Sequence, residues 1–532
     1  MGKFLGTVFK TTSNISFKFS TKPGASLRIS TLVAFEINEK RFLGVIKSIE
    51  RYNYLINQDE AVQLSSLFSD KPNLTANSIG VEHTFDDFII GDVEIIGRRK
   101  SDDKIFSKPK TSVKIGTKVY RAKREFIINQ FRIEKTKISI GNLNLDQDQS
   151  IEFFLDFNEL ISKHFCVLAM TGAGKSWTLA VLIEQITKQS KIPIVIFDPH
   201  GEYSSLAVKN KKLDQHHEIA EKITNRVKIY SIATQSITDS SDHMFKEKYK
   251  KDRNSSRLTI NITDLEPYQI ISILNELFEL SEAQARVLQE SWSKIRSELK
   301  NDDPTKFKRI SEIISSSEAT KSGTAKNVLY TKFKLFVDNA PFIRKKIEES
   351  RVNVGDIVKK GQISVFDLSG VQLLYQQAFV AVVSEMILKK RINNKVPPVL
   401  CLFEEAHRFI PSGATITASK KTLKKIAQEG RKFSMGLGIL SQRPSRLDSD
   451  VLSQCNTQII LRLTNPTDQN YVRKISEYVT NADLEQLRSL TPGEAFIFGS
   501  ATLLSMPIRI FSNRYTEHGG YTPDIEESLK KF

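Results

Sequence analysis

The chain has 532 residues, 40% hydrophobic and 26% charged, which is more than one core usually organises and too apolar for a disordered polymer. Lys and Arg number 78 against 61 Asp and Glu, and the formal charge of +17 points to an acidic partner, nucleic acid foremost. Cys166, Cys401 and Cys455 lack disulfide or zinc-ligand spacing and no run of eighteen apolar residues occurs, so a disulfide scaffold and a helical membrane protein are excluded and a soluble, cytoplasmic protein is expected.

From residue 1 to about 130, short alternating segments are broken by Gly, Pro, Asn and Asp: Leu27 to Phe35, Arg41 to Ile49, Val93 to Ile96 and Ser112 to Arg121. This pattern predicts a small β-barrel or sandwich. Arg98 to Thr111, dense in Lys, Arg, Ser and Asp, reads as a loop or linker. The boundary is placed near residue 140, giving an amino-terminal unit over 1–140.

Beyond it, apolar runs of four to seven residues alternate with helical patterns, as in a buried parallel sheet. The predicted strands are Phe165 to Ala169, Ile194 to Asp198, Val227 to Ile232, Ile363 to Leu368, Val399 to Phe403, Leu437 to Ser441, Gln458 to Leu463 and Ala495 to Phe498. They define an α/β core over 141–505 with a mainly parallel sheet. Residues 265–350 read as a helical insertion, with apolar residues recurring at three and four in Gln269 to Leu280 and Ala283 to Leu299. Residues 506–532 read as a last strand followed by a polar tail, Tyr515 to Phe532, long enough to brace a neighbouring subunit.

Cys166-Val-Leu-Ala-Met-Thr-Gly-Ala-Gly-Lys-Ser176 is a strand, a glycine-containing loop and the start of a predicted helix, Trp177 to Gln189. It matches the pattern Gly, four residues, Gly-Lys-Ser/Thr except at its first position, Ala169. Amides turned inward around Gly172 and Gly174, with the partial positive charge of a helix start, suit a polyphosphate. Thr171, Gly172, Ala173, Gly174, Lys175, Ser176 and Trp177 are therefore the candidate ATP-binding residues. Lys175 would neutralise the β and γ phosphates, and Ser176 would offer its hydroxyl to Mg²⁺.

Val399-Leu-Cys-Leu-Phe-Glu-Glu-Ala-His407 is an apolar strand ending in two acids. Adjacent strand residues point to opposite faces, so Glu404 is expected to hold the hydrated metal and Glu405 to polarise the attacking water. A third strand ends in Gln442, expected to sense the γ-phosphate. The turn Asp198-Pro-His-Gly-Glu-Tyr203 puts Asp198, His200 and Glu202 at the carboxyl edge where open α/β sheets bind ligands, their separate roles left open.

These motifs in order, joined by Gln428-Glu-Gly-Arg-Lys432 and Leu440-Ser-Gln-Arg-Pro444, resemble the HerA family of the FtsK/HerA superfamily of P-loop NTPases. The resemblance covers residues 150 to 510 and, more weakly, the amino-terminal region. It implies a RecA-like core, a HAS-barrel-like first domain and a homohexameric ring that moves double-stranded DNA with ATP and Mg²⁺. It also implies an effector partner, a nuclease or an NAD-consuming enzyme, in DNA end processing or anti-phage defence. The other function consistent with the resemblance is a nucleotide-regulated ring scaffold that assembles and activates such an effector.

In such rings an arginine from one subunit completes the next subunit's site, which makes Arg431 the finger candidate and Arg443 its alternative. Lys420, Lys421, Lys424 and Lys425 follow the flexible Pro411 to Ser419 at helical spacing. Like charges on one face repel unless an anion compensates, so these lysines are the candidate DNA contacts.

Overall fold

The computed structural model describes residues 2–21, 26–52, 88–99, 106–131, 137–143, 151–210, 217–232, 255–298, 307–343, 353–414, 417–477, 479–502 and 505–517. Among the described residues, six strands form the first unit: β1 (Phe4–Thr11), β2 (Ser16–Thr21), β3 (Leu32–Ile37), β4 (Lys40–Tyr52), β5 (Phe88–Gly97) and β6 (Lys118–Arg121). They close into an antiparallel barrel in the order β1-β2-β5-β4-β3-β6, with β6 returning to β1. Period-two alternation turns Phe17 and Phe19 inward, to pack with Phe35, Val93 and Val119. A closed barrel rather than an open sandwich leaves these short strands without unpaired edges.

After the helix Arg124–Phe131 the chain enters a second sheet through β7 (Lys137–Leu143) and β8 (Ile151–Asp156). The remaining strands are β9 (Phe165–Leu168), β10 (Ile194–Asp198), β11 (Val227–Ser231), β12 (Ser255–Arg257), β13 (Ile363–Asp367), β14 (Val399–Phe403), β15 (Met435–Ser441), β16 (Thr457–Leu461), β17 (Glu494–Gly499) and β18 (Met506–Ile510). Their order is β12-β11-β13-β10-β14-β15-β9-β16-β17-β18-β7-β8. Strands β12 through β16 in that order run parallel, while β17, β18, β7 and β8 continue the sheet antiparallel.

Alternation along the parallel strands divides two cores. Val195, Phe197, Val399, Cys401 and Phe403 face one, packed on the helix Leu373–Ile392, whereas Ile194, Ile196, Leu400 and Leu402 face the other, packed on the helix Lys175–Gln189. This is a three-layer α/β/α unit whose central strands are apolar on both faces, hence their continuous apolar sequence. The barrel sits against it through Lys47 Nζ, 2.9 Å from the buried Asp483 Oδ1, and through Leu32, Ala34, Leu43 and Val45.

The region predicted as a helical insertion holds the helices Pro267–Phe278, Glu282–Glu298, Phe307–Ser315 and Gly323–Asn339. Trp292, fully buried, donates its indole N–H to Leu265 O at 2.9 Å and ties the second helix to the segment that leads into the first. Past β18 the chain returns over the helix Lys175–Gln189 as far as Glu517, so Tyr515, Thr516 and Glu517 rest on their own chain. The rest of the expected brace, 518–532, lies outside the described residues, as do Thr415 and Ile416 of the expected flexible loop. Among the described residues no helix is long and apolar enough to cross a membrane.

Candidate active site

The loop after β9 turns through two left-handed glycines, Gly172 (φ 79°) and Gly174 (φ 98°), a region in which a β-carbon is strained. Gly174 is also the cap residue of the helix Lys175–Gln189, whose first N–H groups have no partner within the helix and suit an anion. No protein atom lies within 4 Å of where a β-carbon at Gly172 would stand.

Strand β14 does not lie directly beside β9. Strand β15 runs between them, and all three are parallel, so their carboxyl ends share one edge. The interposed strand brings Gln442 to the loop, where its Oε1 accepts from Thr171 Oγ1 at 2.5 Å. Lys175 reaches past it to β14, with its Nζ 2.6 Å from Glu404 Oε1 and also paired with Glu405 Oε1.

The two acids are not divided between faces as strand alternation predicts. Glu404 keeps the alternation and points with Leu400 and Leu402 toward the Lys175 helix. Glu405 stands just past the strand at φ 45°, and this left-handed turn swings its carboxylate back to the same lysine. A non-glycine residue held there costs about 1–3 kcal/mol, a strain typical of functional sites. Glu405 Oε2 lies 3.2 Å from His407 Nδ1, which is also 3.1 Å from Ser441 Oγ.

The turn after β10 supplies a fourth wall. Asp198, fully buried, accepts from the backbone N–H groups of His200 and Gly201 through Oδ1 and of Tyr203 through Oδ2, at 3.2, 2.9 and 2.8 Å. This hook presents Glu202 to the P-loop, where Ser176 Oγ donates to Glu202 Oε2 at 2.6 Å. Tyr203 OH donates to Glu404 Oε2 at 3.0 Å, while His200 remains exposed.

Electrostatics separate the acids. Burial, reinforced by Asp367 at the matching position of β13, pushes Asp198 up to about 8. Burial also raises Glu404 and outweighs the attraction of Lys175. Burial acts on Glu405 in the same direction, but the hydrogen bond from His407 and the charge of Lys175 overcome it and hold Glu405 at about 2. Lys175 is raised, because the two glutamates outweigh its burial.

The residues present fit a magnesium–nucleotide pair. Ser176, Glu202, Glu404 and Glu405 offer only oxygen, which suits Mg²⁺, and one buried lysine among three acids leaves a negative excess that a divalent cation would balance. The helix start and loop amides suit the phosphates.

Other predicted residues lie elsewhere. The Trp177 indole N–H goes to Phe511 O at 2.9 Å and the Arg514 guanidinium stands over its ring, so this side chain is committed to the carboxyl-terminal segment. Arg431 is exposed near His164, at the amino end of β9 and β15, the opposite edge from Lys175. Arg443 is exposed on the same edge as Lys175. The lysine face has its compensating anions within the chain: Lys420 is buried with Asp448 at 3.1 Å, Lys424 pairs with Asp450, and Lys425 lies 3.3 Å from Glu385. Lys421 stands over the Tyr268 ring.

Sequence reasoning assigned no role to Tyr203, His407 or Asp367. Asp367 ends an apolar strand as Glu404 does, and that signal was there to find; the partners of Tyr203 and His407 depend on turns that only the fold defines.

Loop, helix start, strand-end acids and three-layer parallel sheet together define a P-loop ATPase. Residues 138–387 match the family model described as the central domain of helicase HerA. The chain is 28% identical to the DNA double-strand break repair helicase HerA of Pyrococcus furiosus, over 96% of this chain and 93% of the relative. It is 27% identical to the protein of the same name from Saccharolobus solfataricus, over 95% and 92%. The solved structure of VirB4 from Thermoanaerobacter pseudethanolicus has the same core fold, with a TM-score of 0.50 and 14% identity over 72% of this chain and 98% of that one. Over most of its length the chain is similar to the HerA helicases.

Proposed function

We propose that this ATPase is a ring subunit that couples hydrolysis to movement along double-stranded DNA. The observation that supports it most is the convergence of Lys175, from the P-loop, with Glu404 and Glu405, from a strand 230 residues further on. Lys175 exchanges its glutamate partners for phosphate oxygens when ATP binds, and Ser176, whose hydroxyl donates to Glu202 in this structure, would be the residue that offers an oxygen to Mg²⁺. Mg²⁺ bound there would neutralise charge on the phosphates. Glu404 would hold Mg²⁺ together with Ser176. Glu405, held ionised and oriented by His407, accepts the proton of the attacking water, and its basicity rises as Lys175 turns away to the phosphates. Gln442 reports the γ-phosphate to the loop through Thr171.

Arg431 is exposed at the sheet edge remote from its own P-loop, so a contact between it and a nucleotide would have to be made with another subunit's site, as a ring arrangement provides. For DNA, Lys421, Lys424 and Lys425 are accessible enough to exchange their present partners for phosphates, and Lys420 shapes the helix from beneath. The names of the relatives favour break repair as the setting, and a nuclease or other effector is the partner class we expect. The test is ATP hydrolysis with and without duplex DNA across a salt series, alongside particle images of the purified protein. DNA stimulation that fades with salt and a six-subunit ring support the proposal; hydrolysis indifferent to DNA at low salt overturns the translocase reading.

A further inference from the structure

The Asp198–Tyr203 turn has no phosphate-binding pattern of its own, yet it touches both halves of the site. The Glu404 carboxylate is divided: Oε1 faces Lys175 at 2.6 Å and Oε2 receives the Tyr203 hydroxyl at 3.0 Å. Tyr203 and Glu404 are each 2% exposed, so water does not compete for this bond. The phenol is itself held at its backbone, because the Tyr203 N–H is bonded to Asp198 Oδ2 and Asp198 is anchored at the end of β10, the strand next to β14. A rigid path thus runs from one strand end through Asp198 and Tyr203 to the acid at the end of the neighbouring strand.

Without the phenol, Glu404 has no other hydrogen-bond donor among the described residues except Lys175. That lysine is the group the nucleotide withdraws. When Lys175 turns to the phosphates, the carboxylate keeps its orientation only if a second donor stays behind, and a tyrosine that carries no charge stays behind.

We propose that Tyr203 is a positioning residue for hydrolysis, holding Glu404 in place during the exchange of Lys175 from carboxylate to phosphate. This rests on the reading of the cleft as an ATP site. Glu202, one residue earlier, lets the same hook address Ser176, so a single turn governs both protein groups on the metal side.

The experiment compares wild-type protein with Tyr203→Phe, which keeps the buried ring and deletes only the hydroxyl. Affinity for a fluorescent ATP analogue with Mg²⁺ and steady-state hydrolysis are measured at a temperature where circular dichroism shows both proteins folded. Because the phenol acts after the phosphates are engaged, affinity should change less than about threefold while kcat falls about ten- to a hundredfold, the range for one hydrogen bond to a charged group. Equal kcat, or a loss confined to affinity, overturns the role of Tyr203 and leaves the ATP site standing. A wild-type protein that binds no nucleotide overturns the site reading and this role with it.

Discussion

Glu184, in the middle of the helix that begins with Lys175, lies 3.5 Å from Arg514 Nε, and both side chains are almost wholly buried. The same carboxylate accepts the backbone N–H groups of Tyr515 and Thr516 at 3.0 Å and the Thr516 hydroxyl at 2.5 Å. One acid thus fastens the last described residues to the P-loop helix, and Trp177, the residue after Ser176, adds a bond to Phe511 O. Removing a partner from a buried pair leaves the other charge uncompensated. Arg514→Ala should cost about 3–5 kcal/mol of folding stability, whereas Glu184→Gln, which keeps part of the hydrogen bonding, should cost less. Denaturant titration of the two variants beside wild type measures this, and equal stability of Arg514→Ala and wild type would refute the anchoring role.

Lys175→Ala should abolish nucleotide binding, and Glu405→Ala should bind ATP but hydrolyse it about 10²–10⁴-fold more slowly, the usual contribution of a general base. Lys175→Ala also carries a pH signature. Without the lysine, Glu404 and Glu405 lose the attraction that favours their ionised forms, so their folded-state pKa values rise. Stability of this variant relative to wild type should therefore be worst near neutrality and recover as pH falls and the acids take up protons. Hydrolysis by Glu405→Ala at the wild-type rate would mean that the base lies elsewhere.

His164 gives a second pH dependence, far from the P-loop but on its strand. Its Nδ1 accepts the Leu437 N–H at 3.0 Å and its Nε2 faces Ala427 O at 3.1 Å, so the ring is a neutral tautomer with Nε2 protonated. Burial first, then the nearby Arg431, lowers it to about 4, against the lifting effect of the Ala427 carbonyl. A depressed histidine contributes stability that is present above its ordinary pKa near 6.5 and is lost as pH falls toward 4. Between pH 7 and pH 5 this single group should remove about 2 kcal/mol, and His164→Gln should lack that increment. Chemical denaturation of both proteins at the two pH values makes the comparison; identical pH dependence would show that His164 does not titrate in this window.

The parallel half of the fold was legible because its strands are apolar on both faces, which writes Ile194 to Asp198 and Val399 to Phe403 as unbroken runs that match β10 and β14 residue for residue. The pairing of β7 with β18 and of β8 with β7 was not, since Lys137–Leu143 and Ile151–Asp156 mix Gly, Asn and Glu into short edge-like segments. The strand-end acids were visible, but alternation predicted divergence where the left-handed Glu405 makes them converge. The partners of the lysine helix were not legible for a related reason: charge spacing shows repulsion along the helix, not the Asp448, Asp450 and Glu385 that the fold brings to it from elsewhere.

That arrangement sharpens the test of DNA binding. Lys421→Ala with Lys424→Ala should reduce DNA-stimulated hydrolysis and make the log-affinity against log-salt slope shallower by about 0.9 for each phosphate no longer neutralised. Hydrolysis without DNA should remain. Lys420→Ala is a different change, because it strips a buried partner from Asp448 and should lower stability in the absence of DNA. An unchanged salt slope in the double variant would place the DNA elsewhere on the protein.

Arg431 allows the most direct test of a shared active site. Its own P-loop is at the other end of β9, four residues of extended chain or roughly 13 Å away, and the intervening strand is buried in the sheet. If Arg431 stabilises charge on a phosphate, it does so across a subunit boundary. Arg431→Ala alone should keep nucleotide affinity and lose hydrolysis on the order of a thousandfold, as expected for a trans arginine. Lys175→Ala alone is inactive for the opposite reason. A ring formed from both variants contains interfaces where an intact Lys175 from one subunit meets an intact Arg431 from its neighbour, so mixing two dead proteins should restore measurable hydrolysis. Recovery with Arg443→Ala in place of Arg431→Ala, and none with Arg431→Ala, would transfer the role to Arg443. No recovery with either would mean that each site is complete within one chain, and the remote position of Arg431 would need another explanation.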